Sequence, residues 1–513
     1  MRPLTIAVGA LALLAAMPAN AASLREWEHC KDFTNHDIDP ATRLSACTSS
    51  IDSGDLTQDE LAAAHLLRAQ LYMAKGDFDH AGADWDAVIK MKPDQYYGFL
   101  GRASLRFVKA DWSGAMDDAY TAIKLKPDST EAFALRGALF VVRRDFEHAL
   151  EDLDTAIRLK SDNASALVTR GSVHAARKET DKAFEDLNRA LSIKPSFDGY
   201  GTRGDLYAGQ GDWTKALEDL SHAIALAPNS GVAYDHRARV YLSTNDLDHA
   251  LDDFNHALDL MPKSAASLAG RGATYATKGD FDCAIKDFNA SIEIDARRTQ
   301  TYQDRGMARF AKGDVDGAIA DFDQVLLLSH DDQPALLRRA VALTRKGDFT
   351  GAMKDYDRLV ALDPNNSASY LARGVAHTKA NEHEAAIADY GKAISLKADN
   401  VDALNNRCEE RAVLNVDLMA ALDDCNKALK LSDQGAIYDS RGFVYFRQGH
   451  FPEAIADFDT AIKRDPKASE ALFKRGIAKL RTGDTTGGNA DIESAKSITP
   501  EIATRYATYG ITP

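Results

Sequence analysis

Long apolar stretches are nearly missing from this chain of 513 residues, and the one that exists lies at its start. Crossing a bilayer takes roughly 20 consecutive apolar residues. No stretch after residue 21 is apolar enough, and Leu4 to Met17 is shorter. That run follows a single basic Arg2 and leads into Pro18 and then Ala19-Asn20-Ala21. Small residues there form a cleavage site, so residues 1–21 read as a secretory signal peptide cut after Ala21, not as an anchor. No lipidation cysteine follows the cut. The leader looks bacterial. The expected destination is the periplasm, with secretion as the alternative, and no stable membrane insertion is expected.

Positive charge is scarce as well. Lys and Arg number 62 against 77 Asp and Glu, a net charge of −15 that becomes −16 once Arg2 leaves with the leader. Nucleic-acid binders need a basic footprint, so no nucleic-acid partner is expected. Proline, at 14 residues, is too rare for a disordered chain, while 45% hydrophobic and 27% charged residues fit a soluble folded protein. Catalytic signatures are missing too. There is no Gly-x-Ser-x-Gly elbow and no His-Glu-x-x-His helix. No strand is expected that could lead into a phosphate loop. The chain reads as a non-enzyme that needs no cofactor.

Five cysteines are few for the length. Two pairs share a spacing of seventeen residues, Cys30 with Cys47 and Cys408 with Cys425, and Cys283 is left over. In an oxidising compartment such pairs can close as disulfides. The alternative is buried thiols acting as small apolar side chains.

What the chain has in abundance is repetition. One arginine recurs at Arg68, Arg102, Arg136, Arg170, Arg203, Arg237, Arg271, Arg305, Arg339, Arg373, Arg407, Arg441 and Arg475. Every step is 34 residues except Arg170 to Arg203, which is 33. Thirteen repeats therefore fill residues 61–500. The residue after each arginine is Gly in eight repeats, Ala in four and Cys408 in one, so a neighbouring helix can approach closely there. A turn such as Gly76-Asp77-Phe78 or Gly347-Asp348-Phe349 follows. Glycine accepts the left-handed conformation that ends a helix, and the aspartate caps the next one. Pro93, Pro127, Pro195, Pro228, Pro262, Pro364, Pro466 and Pro500 close many units. Each unit is thus two amphipathic helices that bury their apolar faces only by stacking.

With the arginine counted as position seven, the small residue falls at eight, Ala at twenty, a bulky residue at twenty-four, Ala at twenty-seven and Pro at thirty-two. On these positions the chain resembles the tetratricopeptide repeat family over about 440 residues. The resemblance implies an all-α, right-handed superhelical solenoid of about thirteen helix-turn-helix repeats with N- and C-terminal capping helices. The divisions are 1–21 leader, 22–60 degenerate cap, 61–500 repeats, and 501–513 terminal helix and tail. The arginine is a departure, since the family more often has an apolar residue there. Repeat eleven is another: Val416 to Met419 adds one residue before Ala421, and the loop after Ala428 is one shorter. The period, the proline ending and the acidic charge argue against the RNA-binding pentatricopeptide class. In the family, positions eight and twenty-four face each other, which implies a disulfide between Cys408 and Cys425. In the cap, Trp27 and Phe33 mark one helix and Leu44, Cys47 and Ile51 another. A Cys30–Cys47 bond there would contribute roughly 3 kcal/mol. Ile502, Tyr506 and Tyr509 follow helical spacing and should cover the last repeat.

A repeated Asp, from Asp84 to Asp491, accompanies each arginine. Thirteen arginines could form an anion-binding ladder. Strict co-occurrence favours a structural Arg–carboxylate bridge, within a unit or between neighbours. His222, His249 and His256 share second helices of adjacent repeats about 10 Å apart, too far for an easy metal site, so no metal is expected.

The resemblance places the ligand face on the first helices, at positions two, five, nine, twelve and thirteen. There Tyr97, Leu100, Phe107, Val141 and Val168 form an apolar sector, and Asp198, Asp205, Asp235 and Arg239 a charged one. Arg345, Lys379, Arg447 and Arg481 make a basic line at position thirteen, and repeat eleven offers Asn405 and Glu409. No repeat combines Lys at five with Asn at nine, the carboxylate clamp of chaperone-binding members. The expected function is a non-catalytic scaffold that binds a peptide or partner protein in the concave groove. The alternatives are a cell-envelope glycan-binding or assembly module, and a subunit that positions a catalytic partner.

Overall fold

The structure is a computed structural model that describes residues 21–32 and 38–513. Residues 1–20 of the leader and Phe33 lie outside the described residues. Among these residues 29 helices and no strand occur. They divide into two units, one reaching to Met261 and the other running from Pro262 to Pro513. The first holds the cap and repeats one to six; the second holds repeats seven to thirteen and the terminal helix Ile502–Thr508.

Each repeat is the expected helix pair, from Gln58–Lys75 with Phe78–Met91 in repeat one to Ser469–Arg481 with Thr485–Ile498 in repeat thirteen. Repeat one starts three residues before Leu61, because Thr57 and Glu60 form a reciprocal capping box. The turns work as their sequence suggests. Gly347 adopts φ +88°, and Asp348 accepts from the Gly351 N–H at 2.9 Å. The same turn position is left-handed even where glycine is missing, at Ala110, Arg144, Lys178, Asn245, Asn381 and Asn415.

Positions eight and twenty-four do meet. A Cβ added to Gly374 would lie 2.6 Å from the Tyr390 ring, and one on Gly306 would lie 2.7 Å from Phe322. Phe254, Phe288, Phe322, Tyr390 and Phe458 are fully buried there, each stabilising by about 1.5–3 kcal/mol. In repeat eleven the two positions bring the sulfurs of Cys408 and Cys425 to 2.02 Å. The inserted residue is absorbed in the turn, where both Asn415 and Asp417 are left-handed. In the cap, helices Ala21–Lys31 and Pro40–Ser53 bring the sulfurs of Cys30 and Cys47 to 2.09 Å, beside the buried Trp27. Cys283 is free and exposed.

The arginine clamp is present in all thirteen repeats, with the closest N–O distance between 2.5 and 2.8 Å. Two guanidinium nitrogens hold the aspartate of the same repeat, as Arg102 holds Asp118. A third often reaches the preceding repeat: Arg102 to Asp86 at 2.7 Å, Arg339 to Asp323 at 2.6 Å. The bridge therefore acts both within and between repeats. These guanidinium groups are already matched by carboxylates, and they do not form an open anion ladder.

Within each unit, first helices of neighbouring repeats touch. Tyr96–Val108 meets Thr130–Val142 in the first, and Val401–Leu414 meets Gly435–Gln448 in the second. Second helices of neighbouring repeats share no comparable contact. The first helices thus line the inner side of each stack.

Candidate binding surface

The apolar sector of the first unit is largely packing. Leu100 and Val168 are buried in the core instead of facing the groove. Their position-five side chains point back against neighbouring repeats, because helices this close leave no room between them. Tyr97 and Val141 are half-buried against the same cores, and Phe107 meets Trp112 edge-on at 5.4 Å.

The charged sector is nearer water. Asp198 and Asp205 are exposed. His236 Nδ1 lies 2.9 Å from Asp205, and that hydrogen bond holds its imidazole above the usual histidine range. Arg239 Nε donates to Asp235 at 2.8 Å, one helical turn away. Asp205, His236 and Arg239 line a pocket of about 280 Å3 together with Trp213.

The basic line of the second unit splits into two kinds. Lys379 is exposed on the rim of a second pocket, of about 290 Å3. Arg345 is exposed too, its guanidinium 4.8 Å over the Phe310 ring. Arg345 also donates to the Phe310 carbonyl at 3.4 Å; Arg447 and Arg481 differ in reaching the end of the chain as well. Arg447 donates to the carbonyls of Ala412 at 2.7 Å and of Val413 and Tyr509 at 2.9 Å. Arg481 donates to the Thr512 carbonyl at 3.2 Å.

The bonds to Tyr509 and Thr512 come from the terminal segment. It covers the last repeat as expected, and then runs on across the inner face. Ile502, Tyr506 and Ile511 are buried. The Tyr506 ring lies 5.3 Å from Phe473 and 6.1 Å from Phe443, on the first helices of repeats thirteen and twelve. Tyr509 reaches His383 of repeat ten, edge-on at 6.0 Å. Arg505 pairs with Glu470 at 2.6 Å.

Beneath it sits a charge cluster that position rules did not indicate. Lys474 is completely buried and bonded to Asp439 at 2.9 Å. Burial pulls its ammonium down, but Asp439 and nearby acids outweigh that and hold it above the usual range. Burial likewise acts to raise Glu470, and the Lys474 and Arg505 charges reverse this and hold it low. Glu409, at position nine of repeat eleven, is pushed up to about 7 by burial among these acids. Asn405 is half-buried beside it on the same helix.

Among the described residues no group of three or more His, Cys, Asp or Glu side chains could hold one metal ion. His222, His249 and His256 instead stack on Tyr200, Tyr241 and Tyr234, with ring centres 4.9 to 5.3 Å apart. No helix among the described residues is long and apolar enough to cross a membrane.

Comparison with known proteins agrees with this architecture. Three family models, each described as tetratricopeptide repeat, match the chain. One covers residues 66–130, 135–196, 304–367 and 441–491, another 197–263, and a third 367–400. An Hsp70-Hsp90 organizing protein from Triticum aestivum is 28% identical over 104 residues. That match spans 19% of this chain and 18% of the wheat protein. A tetratricopeptide repeat protein from Parabacteroides merdae is 18% identical, covering 48% of this chain and 98% of its own, with a TM-score of 0.38. The APC/C hetero-tetramer Cut9-Hcn1 is 14% identical over 96% of both chains, with a TM-score of 0.42. From the period, the helix pairs, the contacts of positions eight and twenty-four and the three family models, this chain is a tetratricopeptide repeat protein.

Proposed function

We propose that the protein is a non-catalytic scaffold that binds a partner protein or peptide on the inner faces formed by its first helices. One observation carries the reading. The clamp and the packing positions repeat thirteen times, while the first-helix residues at positions two, nine, twelve and thirteen change from repeat to repeat. Packing devices recur; a surface that selects a partner varies along its length. The partner is a protein and not a nucleic acid, given the acidic balance.

The proposed setting is the periplasm, reached through the leader, with both cysteine pairs oxidised. Their placement at bonding distance, one in the cap and one inside a repeat, supports this. The wheat relative's name links that protein to Hsp70 and Hsp90. This chain lacks the Lys-five and Asn-nine combination, so we propose a different partner.

Affinity capture with crosslinking from the producing cell tests the function. Arg345→Glu with Lys379→Glu should lower recovery of the captured partner several-fold while leaving the clamps intact. Unchanged recovery would remove those residues from the binding face. Trp213 favours a second reading, a glycan module, because it is an exposed ring beside polar groups in a pocket. Retention on isolated cell-wall polysaccharide, lost in Trp213→Ala, would establish that reading instead.

A further inference from the structure

Beneath the terminal segment, the inner face of the second unit is short of hydrogen-bond donors. Glu410 is occupied by Thr378 and His383, at 2.6 Å each. Asp439 gives one oxygen to Lys474, and its other oxygen is buried with no hydrogen-bond partner among the described residues. The same holds for Oδ1 of Asn405. Glu409 makes no hydrogen bond or ion pair among the described residues and borders the pocket of about 290 Å3. Each buried acceptor left without a donor costs about 1–3 kcal/mol. Two such acceptors, with the half-buried Glu409 carboxylate opening beside Tyr390, Tyr506 and Tyr509 on the pocket, match a ligand that brings a cation.

What covers the site now supplies only part of that. Arg505 meets Glu470 and Tyr506 fills the seat between Phe443 and Phe473, but among the described residues none of the segment's side chains bonds or pairs with Glu409. The terminal helix has seven residues, too few to be stable alone in water. Its tether substitutes for intrinsic affinity, since a short linker holds a segment at an effective concentration on the order of millimolar.

We propose that residues 501–513 are a tethered, displaceable occupant of the inner face of repeats eleven to thirteen. A partner protein replaces them with a short helix that sets one aromatic ring between Phe443 and Phe473 and basic side chains against Glu470 and Glu409. This rests on the protein-binding reading above and adds to it the partner's chemistry and a shield against weak binders. The unfilled pocket is the margin by which the partner outcompetes the tail.

The test uses two fluorescein-labelled peptides, residues 501–513 as they stand and the same with Tyr509→Lys, against the full chain and a full chain carrying Arg505→Glu and Tyr506→Ala. The released chain should bind the first peptide at least ten-fold tighter than the unaltered chain does. The lysine peptide should bind several-fold tighter again, and Glu409→Gln should abolish that extra gain. In the unaltered chain, saturating lysine peptide should speed amide exchange at residues 503–511 and leave the first unit unchanged. This last measurement decides the matter if the released chain proves unfolded by circular dichroism. Equal, weak binding to both chains, or exchange at 503–511 that does not respond, overturns the proposal. Should the peptides fail while crosslinks place a cellular partner on the first unit, the tethered occupant is refuted and the broader protein-binding reading stands.

Discussion

Repeats five and six and repeats eleven to thirteen share one clamp and one packing scheme, yet they treat charge on the inner face in opposite ways. In the first unit Arg239, its side chain 45% exposed, reaches back one helical turn to a buried Asp235. Asp205 pairs with His236, also near water. In the second unit Lys474 has no exposure at all, and Glu409, Asp439 and Glu470 crowd around it. The difference follows from the terminal segment, which covers one face and has no counterpart on the other among the described residues. An inner face open to water tolerates charge at little cost. A covered one makes each charge part of the fold.

Removing one charge from each region should break the symmetry most sharply. Lys474→Met leaves Asp439 buried without its cation, a loss of about 3–5 kcal/mol for a severed buried pair. His236→Ala removes an ion pair whose two side chains are 36% and 49% exposed, worth about 0–1 kcal/mol. Hydrogen exchange resolves the two, with protection lost through repeats eleven to thirteen in the first variant and almost unchanged in the second. Equal losses would mean that cover by the terminal segment does not govern the cost.

The cysteine pairs sharpen the comparison from another side, because each unit has one. A thiol assay on the unreduced, denatured protein should find one reactive group, Cys283, and all five after reduction. Reduction should then loosen the cap and repeat eleven by similar amounts, roughly 3 kcal/mol each for loops of this length. Local exchange around Cys47 and Cys425 reads both at once.

How far these features were legible in the sequence depends on their range. The turn, the clamp and the contact between positions eight and twenty-four repeat every 34 residues and act within one helix pair. They could be read even in repeat eleven, where the insertion moves Asp424 to seventeen residues from Arg407 and the bridge still forms at 2.7 Å. Which side of a first helix faces inward was harder, because a small tilt separates a core position from a groove position. Leu100 and Val168 fell on the core side for that reason. Lys474 gave no signal, since position six carries Leu, Gly, Thr, His and Asp in other repeats. Two of the carbonyls that Arg447 holds lie one repeat back, but the third is that of Tyr509, 62 residues away, a contact that no period encodes.

The covered face should also respond to pH. Glu409 has a folded-state pKa raised to about 7 from an ordinary 4.5. The groups facing it are Glu410 on its own helix, Asp439, Glu470 and Lys474 on the next two first helices, and Arg505, Tyr506 and Tyr509 in the terminal segment. Between those two values the folded chain binds more protons than the unfolded one, so stability falls as pH rises through the window. Glu409→Gln should therefore gain about 1–2 kcal/mol at pH 8 and nothing at pH 4. Denaturation followed in the second unit at both pH values checks it, and a gain independent of pH would assign the effect to packing instead of charge.

The smallest expected effect concerns the turns. After the first helices of repeats two, three and four, the first unit places Ala110, Arg144 and Lys178 in the left-handed region, at φ +59° to +61°. At the equivalent turns the second unit uses only Gly279, Gly313, Gly347, Gly449 and Gly483, or Asn381 and Asn415. A side chain bearing Cβ costs roughly 1–2 kcal/mol in that conformation, while glycine gives back about 0.5–1 kcal/mol through the freedom it adds to the unfolded chain. The two terms nearly cancel, and the conformational cost is the larger. Lys178→Gly should thus stabilise repeat four by at most about 1 kcal/mol. Asn381→Gly should do less, because asparagine tolerates this region best among residues with a Cβ. Gly347→Ala should lose about what Lys178→Gly gains. Urea unfolding of the single variants separates these outcomes. If Lys178→Gly proved destabilising, the contacts of the lysine stem would outweigh the backbone term, and the excess strain assigned to the turns of the first unit would vanish.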